Sequence, residues 1–209
     1  MVLAPLPVEA PQGIRSVKRA VFLDRDGTLL KEVNYLSRKE DMELLPGIAD
    51  ALGRLKKAGF LLFVVTNQAG VARGRFGVET VRRVNRAFAD ALKAEGVELD
   101  GMAFCPHHPD FTGPCECRKP EPGMIFSVSV GKDVDFSRSY MVGDKASDIG
   151  AGKRAGLKTV LVLTGYGAEE LEILKACGDQ PDHVAKDLAE FSRLVTTDNP
   201  PVPESGSGT

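Results

Sequence analysis

Short apolar runs recur along the chain, separated by stretches in which apolar residues return every three or four positions. Ala20–Leu23 is the first such run and is stopped by Asp-Arg-Asp-Gly. Ile48, Leu52 and Leu55 then recur at i, i+4 and i+7, and Gly59 follows as a helix stop. Phe60–Val65 reads as a fully buried strand. Val78, Val81, Val84, Phe88 and Leu92 mark the next helix, with Gly96 behind it. Met102–Phe104, Tyr140–Val142 and Lys158–Leu163 read as further strands, the last preceded by a small-residue helix ending near Gly156. Continuous apolar strands alternating with helices predict an α/β fold: an open, Rossmann-like parallel sheet with helices on both faces. In such sheets ligands bind beyond the carboxyl ends of the strands.

The pattern assigns residues 19–197 to a single domain. Residues 1–18 are expected to be a flexible arm and residues 198–209, rich in Pro, Ser and Gly, a flexible tail. The net charge of −2 gives no general attraction to nucleic acid or to an anionic membrane, so neither is expected as a partner. No apolar run approaches the roughly 18 residues of a membrane span. Prolines 5, 7 and 11 and Glu9 break any secretory signal pattern, so a cytoplasmic location is expected. In a reducing compartment the four cysteines read as thiols or metal ligands. A monomer is the default expectation.

The chemistry gathers at predicted strand ends. Asp24 and Asp26 follow the first strand, and side chains two apart face the same side while the chain stays extended. One such carboxylate can attack phosphorus while the other protonates the leaving oxygen and later activates water. A phosphate dianion repels a carboxylate, so this chemistry calls for a hard divalent cation such as Mg²⁺. Alone, Asp-x-Asp-Gly is an ordinary polar turn. Thr66 ends the second strong strand, Lys119 lies in Arg-Lys-Pro, and Asp144 ends a later strand with Asp148 one helical turn on. Nucleophile, acid/base, hydroxyl donor, cation and metal-binding acid complete the set that phosphoryl transfer needs.

A second constellation lies between residues 105 and 117: Cys105-x-His107, then Cys115-x-Cys117. Three thiolates and one imidazole form a closed tetrahedral zinc set of the structural kind. A loop so rich in Pro and Gly has no apolar core of its own, and a metal would supply the missing stabilisation. His107 is preferred as the ligand and His108 is the competitor. Because the loop runs straight into Arg118 and Lys119, it would set the position of Lys119. Cys177 and His183 have no partner motif and read as structural.

On these residues the chain resembles the phosphatases of the haloacid dehalogenase superfamily. DRDGT (24–28), Thr66, Lys119 and GDKASD (143–148) match its four motifs. The resemblance implies an aspartyl-phosphate at Asp24, with Asp26 as general acid/base. Thr66 and Lys119 would stabilise the phosphoryl group. Mg²⁺ would be held by Asp24, a backbone carbonyl of Asp26, and Asp144, and Asp148 would orient the site. The intervals from Asp26 to Thr66 and from Thr66 to Lys119 are used up by the predicted elements, which implies a capless enzyme.

Within the superfamily the chain is similar to a zinc-loop group that includes heptose-bisphosphate and histidinol-phosphate phosphatases. TNQAGVARG (66–74), CPHHP (105–109), RKPEPGM (118–124) and VGDK (142–145) lie nearer the heptose branch. The implied substrate is a small phosphorylated sugar, a heptose 1,7-bisphosphate losing its 7-phosphate on the way to nucleotide-activated heptose. Implied substrate contacts are Glu32, Tyr35, Asn67, Gln68, Arg118 and Lys145, although Val33 stands where a polar residue is expected. The alternatives are histidinol phosphate or another small phosphomonoester, and an inactive sugar-phosphate-binding scaffold.

Overall fold

A computed structural model describes residues 17–197. The expected tail and all but the last two residues of the expected arm lie outside the described residues. Lys18, assigned to that arm, is instead tied down, donating its N–H to the Asp133 carbonyl and accepting from Asp135 N–H, both at 2.9 Å.

Six parallel strands form one sheet in the order β3-β2-β1-β4-β5-β6. They are β1 (Ala20–Leu23), β2 (Leu61–Asn67), β3 (Gly101–Cys105), β4 (Tyr140–Gly143), β5 (Lys158–Val162) and β6 (His183–Ala185). The helices are α1 (Ile48–Lys57), α2 (Val78–Ala94), α3 (Pro109–Thr112), α4 (Gly123–Val128), α5 (Ala146–Arg154), α6 (Gly167–Cys177) and α7 (Leu188–Thr197). The expected parallel α/β architecture is present.

Side-chain alternation divides the strands between two cores. Val21, Leu23, Leu62, Val64, Val142 and Val160 pack with Leu52, Leu55, Phe88, Leu92 and Phe191 of α1, α2 and α7. Ala20, Phe22, Phe63, Val65 and Met141 face the other way, against Met124, Ile125, Ala151 and Ala155. Both faces being covered explains why these strands are apolar throughout. Strand order reverses between β1 and β4, so the loops after these strands diverge and leave a crevice at their carboxyl ends. Asp24 follows β1 and Asp144 follows β4. Among the described residues, α1 and a short turn of helix, Lys39–Asp41, lie between β1 and β2, and α2 lies between β2 and β3.

Candidate active site

The crevice is a cavity of about 270 Å³ lined by Asp24, Asp26, Tyr35, Thr66, Arg118 and Lys145, among others. Glu32, Asn67, Gln68 and Lys119 share that lining, so the four motifs and the implied substrate contacts converge on one space.

Asp24 and Asp26 reach it by a tighter route than simple alternation. The chain bends at Arg25 and turns back, with Gly27 N–H donating to the Leu30 carbonyl at 2.8 Å. Gly27 has φ +86°, and a Cβ there would collide with the Asp144 carboxylate. Only glycine combines this backbone with so close an approach.

Lys119 is buried at the centre. Its Nζ donates to Asp24 Oδ1 and to the Val65 carbonyl, each at 2.7 Å, and pairs with Asp148 Oδ1 at 2.6 Å. Burial pulls the Lys119 pKa down, but Asp148 and Asp24 outweigh it and hold the ammonium charged. Asn67 clamps the Lys119 backbone at both ends of its amide: Nδ2 donates to Lys119 O at 3.0 Å, and Oδ1 accepts from Lys119 N–H at 3.1 Å. Gln68 Nε2 donates to Asp26 Oδ2 at 2.8 Å and to Thr66 Oγ1 at 2.9 Å. The amides expected to meet substrate are thus engaged in holding Lys119, Asp26 and Thr66.

Asp144 and Asp148 are fully buried, and with Asp24 they bring carboxylate oxygens within 4.8 Å of one another. Asp144 Oδ2 accepts from Tyr166 N–H at 2.9 Å, while the buried Oδ1 has no hydrogen-bond partner. An orphaned, buried carboxylate oxygen beside two more carboxylates fits a hard divalent cation. Burial, then Asp24 and Asp148, push the Asp144 carboxyl up to about 8. Burial likewise raises Asp148 to about 6, opposed by Lys119. Its Oδ2 accepts from Lys145 N–H at the start of α5, at 3.1 Å.

These shifts carry a stability consequence. Folded pKa values raised above the usual aspartate value of about 4 mean that the cation-free folded state binds more protons than the unfolded chain. The stabilisation is complete below about pH 4 and is lost as pH rises through about 6 for Asp148 and about 8 for Asp144. Thermal denaturation in Mg²⁺-free buffer should show Tm falling between about pH 5 and 8, and excess Mg²⁺ should abolish the fall. A Mg²⁺-free Tm that rises over that range would contradict the assignment of buried, crowded carboxylates.

Lys145 Nζ lies 3.2 Å from Glu32 Oε2 and 4.6 Å from the centre of the Tyr166 ring. Burial lowers its pKa, but Asp144, Glu32 and Asp24 outweigh that and raise it overall. Burial raises Glu32 against the pull of Lys145. Tyr35, at φ +64°, carries Arg75 on its ring at 4.3 Å. Arg118 Nη1 donates to the His107 carbonyl at 3.1 Å, which fixes this side chain to the cysteine loop.

In that loop the sulfurs of Cys105, Cys115 and Cys117 are 2.9–3.7 Å apart, and His107 Nδ1 lies 3.2 Å from Cys117 Sγ and 3.7 Å from Cys105 Sγ. Sulfurs around a tetrahedral Zn²⁺ with bonds of about 2.3 Å would be roughly 3.8 Å apart. Burial drives the Cys105 and Cys117 thiols up, whereas for Cys115 hydrogen bonds outweigh burial and lower it. Three sulfurs and one imidazole nitrogen are a donor set that zinc would fit, and the sulfur pairs at 3.5 and 3.7 Å match its spacing. The structure brings His107 to the sulfurs, while His108 turns away, with Nε2 3.0 Å from Arg73 and its ring against Phe111. Cys177 and His183 lie apart from the crevice as the last residue of α6 and the first of β6.

Sequence reasoning passed over Arg25, whose guanidinium is fully buried and grips Asp26 with two nitrogens, at 3.0 and 2.7 Å. Its signal was a basic residue locked between two functional acids.

A HAD-hydrolase-like family model matches residues 116–191. The D-glycero-D-manno-heptose-1,7-bisphosphate 7-phosphatase of Thermosynechococcus vestitus is 41% identical over 187 residues, covering 85% of this chain and 95% of that protein. The chain belongs to the heptose-bisphosphate phosphatase family of HAD-like hydrolases. The D-glycero-beta-D-manno-heptose-1,7-bisphosphate 7-phosphatase of Escherichia coli K12 is 38% identical, covering 87% of this chain and 96% of that protein. Among solved structures, the family's D,D-heptose 1,7-bisphosphate phosphatase from B. bronchiseptica, complexed with magnesium and phosphate, superposes with a TM-score of 0.77. It is 33% identical, and the match covers 86% of this chain and 99% of that one.

Proposed function

We propose that this protein is a Mg²⁺-dependent phosphatase that removes the 7-phosphate of D-glycero-D-manno-heptose 1,7-bisphosphate. The observation that carries this reading is the convergence of Asp24, Asp26, Thr66 and Lys119 on one crevice, in a chain that matches heptose-bisphosphate phosphatases over nearly their whole length.

Around the crevice five carboxyl groups (Asp24, Asp26, Glu32, Asp144, Asp148) meet four cations (Arg25, Arg118, Lys119, Lys145). A phosphate dianion must approach the Asp24 carboxylate that attacks it, so binding it requires a further positive charge. Asp24, Asp144 and the Asp26 carbonyl would hold Mg²⁺, which would supply that charge and polarise the phosphoryl oxygens. Asp24, held by Lys119, forms the new bond to phosphorus as the ester bond to the C7 oxygen breaks. Asp26 gives its proton to the departing alkoxide. Asp26 then takes a proton from the water that attacks the aspartyl-phosphate, releasing inorganic phosphate and restoring Asp24. Thr66 Oγ1 and Lys119 Nζ stabilise the charge spread over the phosphoryl oxygens. Asp148 holds Lys119, and Arg118 and Lys145 offer cations to the distal phosphate.

The reading needs no second subunit, because every group it uses lies in one chain. No helix among the described residues is long and apolar enough to cross a membrane, and a water-soluble sugar phosphate suits an enzyme acting in the cytoplasm. With Mg²⁺ present, the ³¹P spectrum should lose the 7-phosphate signal and keep the anomeric one. Loss of the anomeric signal first would overturn the proposed regiochemistry.

Zn²⁺ held by Cys105, His107, Cys115 and Cys117 would act structurally, tying the loop that positions Arg118 and Lys119. Cys115→Ser should lower bound zinc from about one ion per chain and reduce kcat by roughly 10- to 100-fold. Zinc content by elemental analysis is the direct readout, and an unchanged ratio would remove the zinc site from the account.

A further inference from the structure

Arg25 is the bulkiest of the fully buried side chains among the described residues, yet the chemistry above gives it no task. A buried guanidinium is costly unless its donors are matched. Here Nε donates to Asp26 Oδ1 at 3.0 Å, Nη2 to Asp26 Oδ2 at 2.7 Å, and Nη1 to Asn85 Oδ1 at 2.5 Å. Asn85 is itself buried, on α2, so the guanidinium is anchored to the scaffold behind the crevice. Gln68 adds a third hydrogen bond to Asp26, at Oδ2.

A carboxylate has about four lone-pair directions. Arg25 and Gln68 occupy three, and the one left open is on Oδ1 of a side chain that lines the crevice. The planar fork fixes the carboxyl in both position and rotation, which a single ammonium cannot do. A loop residue that must place a proton within a few tenths of an ångström of its target needs such a brace.

We infer that Arg25, anchored by Asn85, is a positioning residue that aims the free lone pair of Asp26 at the leaving oxygen of the substrate. The inference rests on the reading of Asp26 as the acid/base. In the first step the Asp24–phosphorus bond forms, the phosphorus–oxygen ester bond breaks, and the leaving alkoxide takes its proton from Asp26. A sugar alkoxide needs that proton. A p-nitrophenolate departs as a stable anion and barely does.

The test compares kcat/KM, which reports the first phosphoryl transfer, for heptose 1,7-bisphosphate and p-nitrophenyl phosphate. Arg25→Met should lower the sugar value by about 100-fold and the aryl value by less than about fivefold. Arg25→Lys should recover about tenfold of the sugar loss while leaving the aryl value unchanged. On an Asp26→Asn background, Arg25→Met should add no more than about twofold, because its effect passes through Asp26. Equal losses on both substrates, or a full further loss on the Asp26→Asn background, would reduce Arg25 to a structural residue. Should Arg25→Met fail to fold, Asn85→Ala carries the same prediction, a several-fold loss on the sugar substrate alone. Asp26→Asn alone separates the two layers. If it depresses both substrates equally, the acid/base reading is wrong; if it discriminates between them and Arg25→Met does not, only the positioning inference falls.

Discussion

Asp24→Asn is expected to lower steady-state phosphate release by on the order of 10⁴-fold or more while leaving the fold intact. An amide oxygen is a poor nucleophile toward phosphorus and adds no negative charge to a divalent cation, so one change removes both contributions of this carboxylate. The side chain keeps its shape. Lys119 keeps its ion pair with Asp148 at 2.6 Å and its hydrogen bond to the Val65 carbonyl at 2.7 Å, so its charge stays matched. Phosphate release and a thermal melt on the same preparation check both halves. Activity within about tenfold of the parent protein would remove Asp24 as the nucleophile.

Lys119→Met should damage stability and rate together. Lys119 is 3% exposed and is the cation between Asp24 and Asp148. Breaking a buried ion pair by deleting one partner costs about 3–5 kcal/mol, because the remaining charges stay in a poor solvent. Deleting an electrostatic stabiliser of the transition state costs about 10²- to 10³-fold in kcat. Urea denaturation without Mg²⁺ should show the full stability loss. Saturating Mg²⁺ should restore part of the stability but not the rate, since the cation cannot take the place of Nζ beside the transferred group. Parent-like stability in Mg²⁺-free urea would contradict the assignment of Lys119 as the charge that keeps this carboxylate cluster folded.

The central strands were legible because sheets covered on both faces leave continuous apolar runs, as in Ala20–Leu23 and the stretch into Leu61–Asn67. The site was legible because Asp24, Thr66 and Asp144 stand where apolar strands stop, which is where a parallel sheet exposes its carboxyl ends. Strand β6 was not, since only three residues long and with His183 and Val184 exposed it carries no apolar signature. Helix α6 escaped for a related reason: Ile173 is 52% exposed while Leu174 beside it is 2% exposed, so its apolar residues do not mark one face.

The partners of Arg25 were hidden more deeply. Asn85 is 60 residues away and meets it only because α2 packs over β1 and β2. Nor does spacing tell that Asn67 and Gln68, while lining the crevice, also hydrogen-bond Lys119, Asp26 and Thr66, since Lys119 lies 52 residues from Asn67 and Asp26 lies 42 from Gln68. The sequence favoured His107 over His108 but did not show the geometry that separates them. His107 directs Nδ1 into the cluster, while His108 caps α3 by accepting from Asp110 N–H.

The most direct test is kcat/KM for phosphate release with Mg²⁺ on three substrates: the α and β anomers of heptose 1,7-bisphosphate, and histidinol phosphate. The account predicts at least about a 100-fold preference for one heptose anomer over histidinol phosphate, about 2.7 kcal/mol of transition-state discrimination. A comparable preference for histidinol phosphate would contradict it, leaving the aspartyl-phosphate chemistry in place with a different substrate.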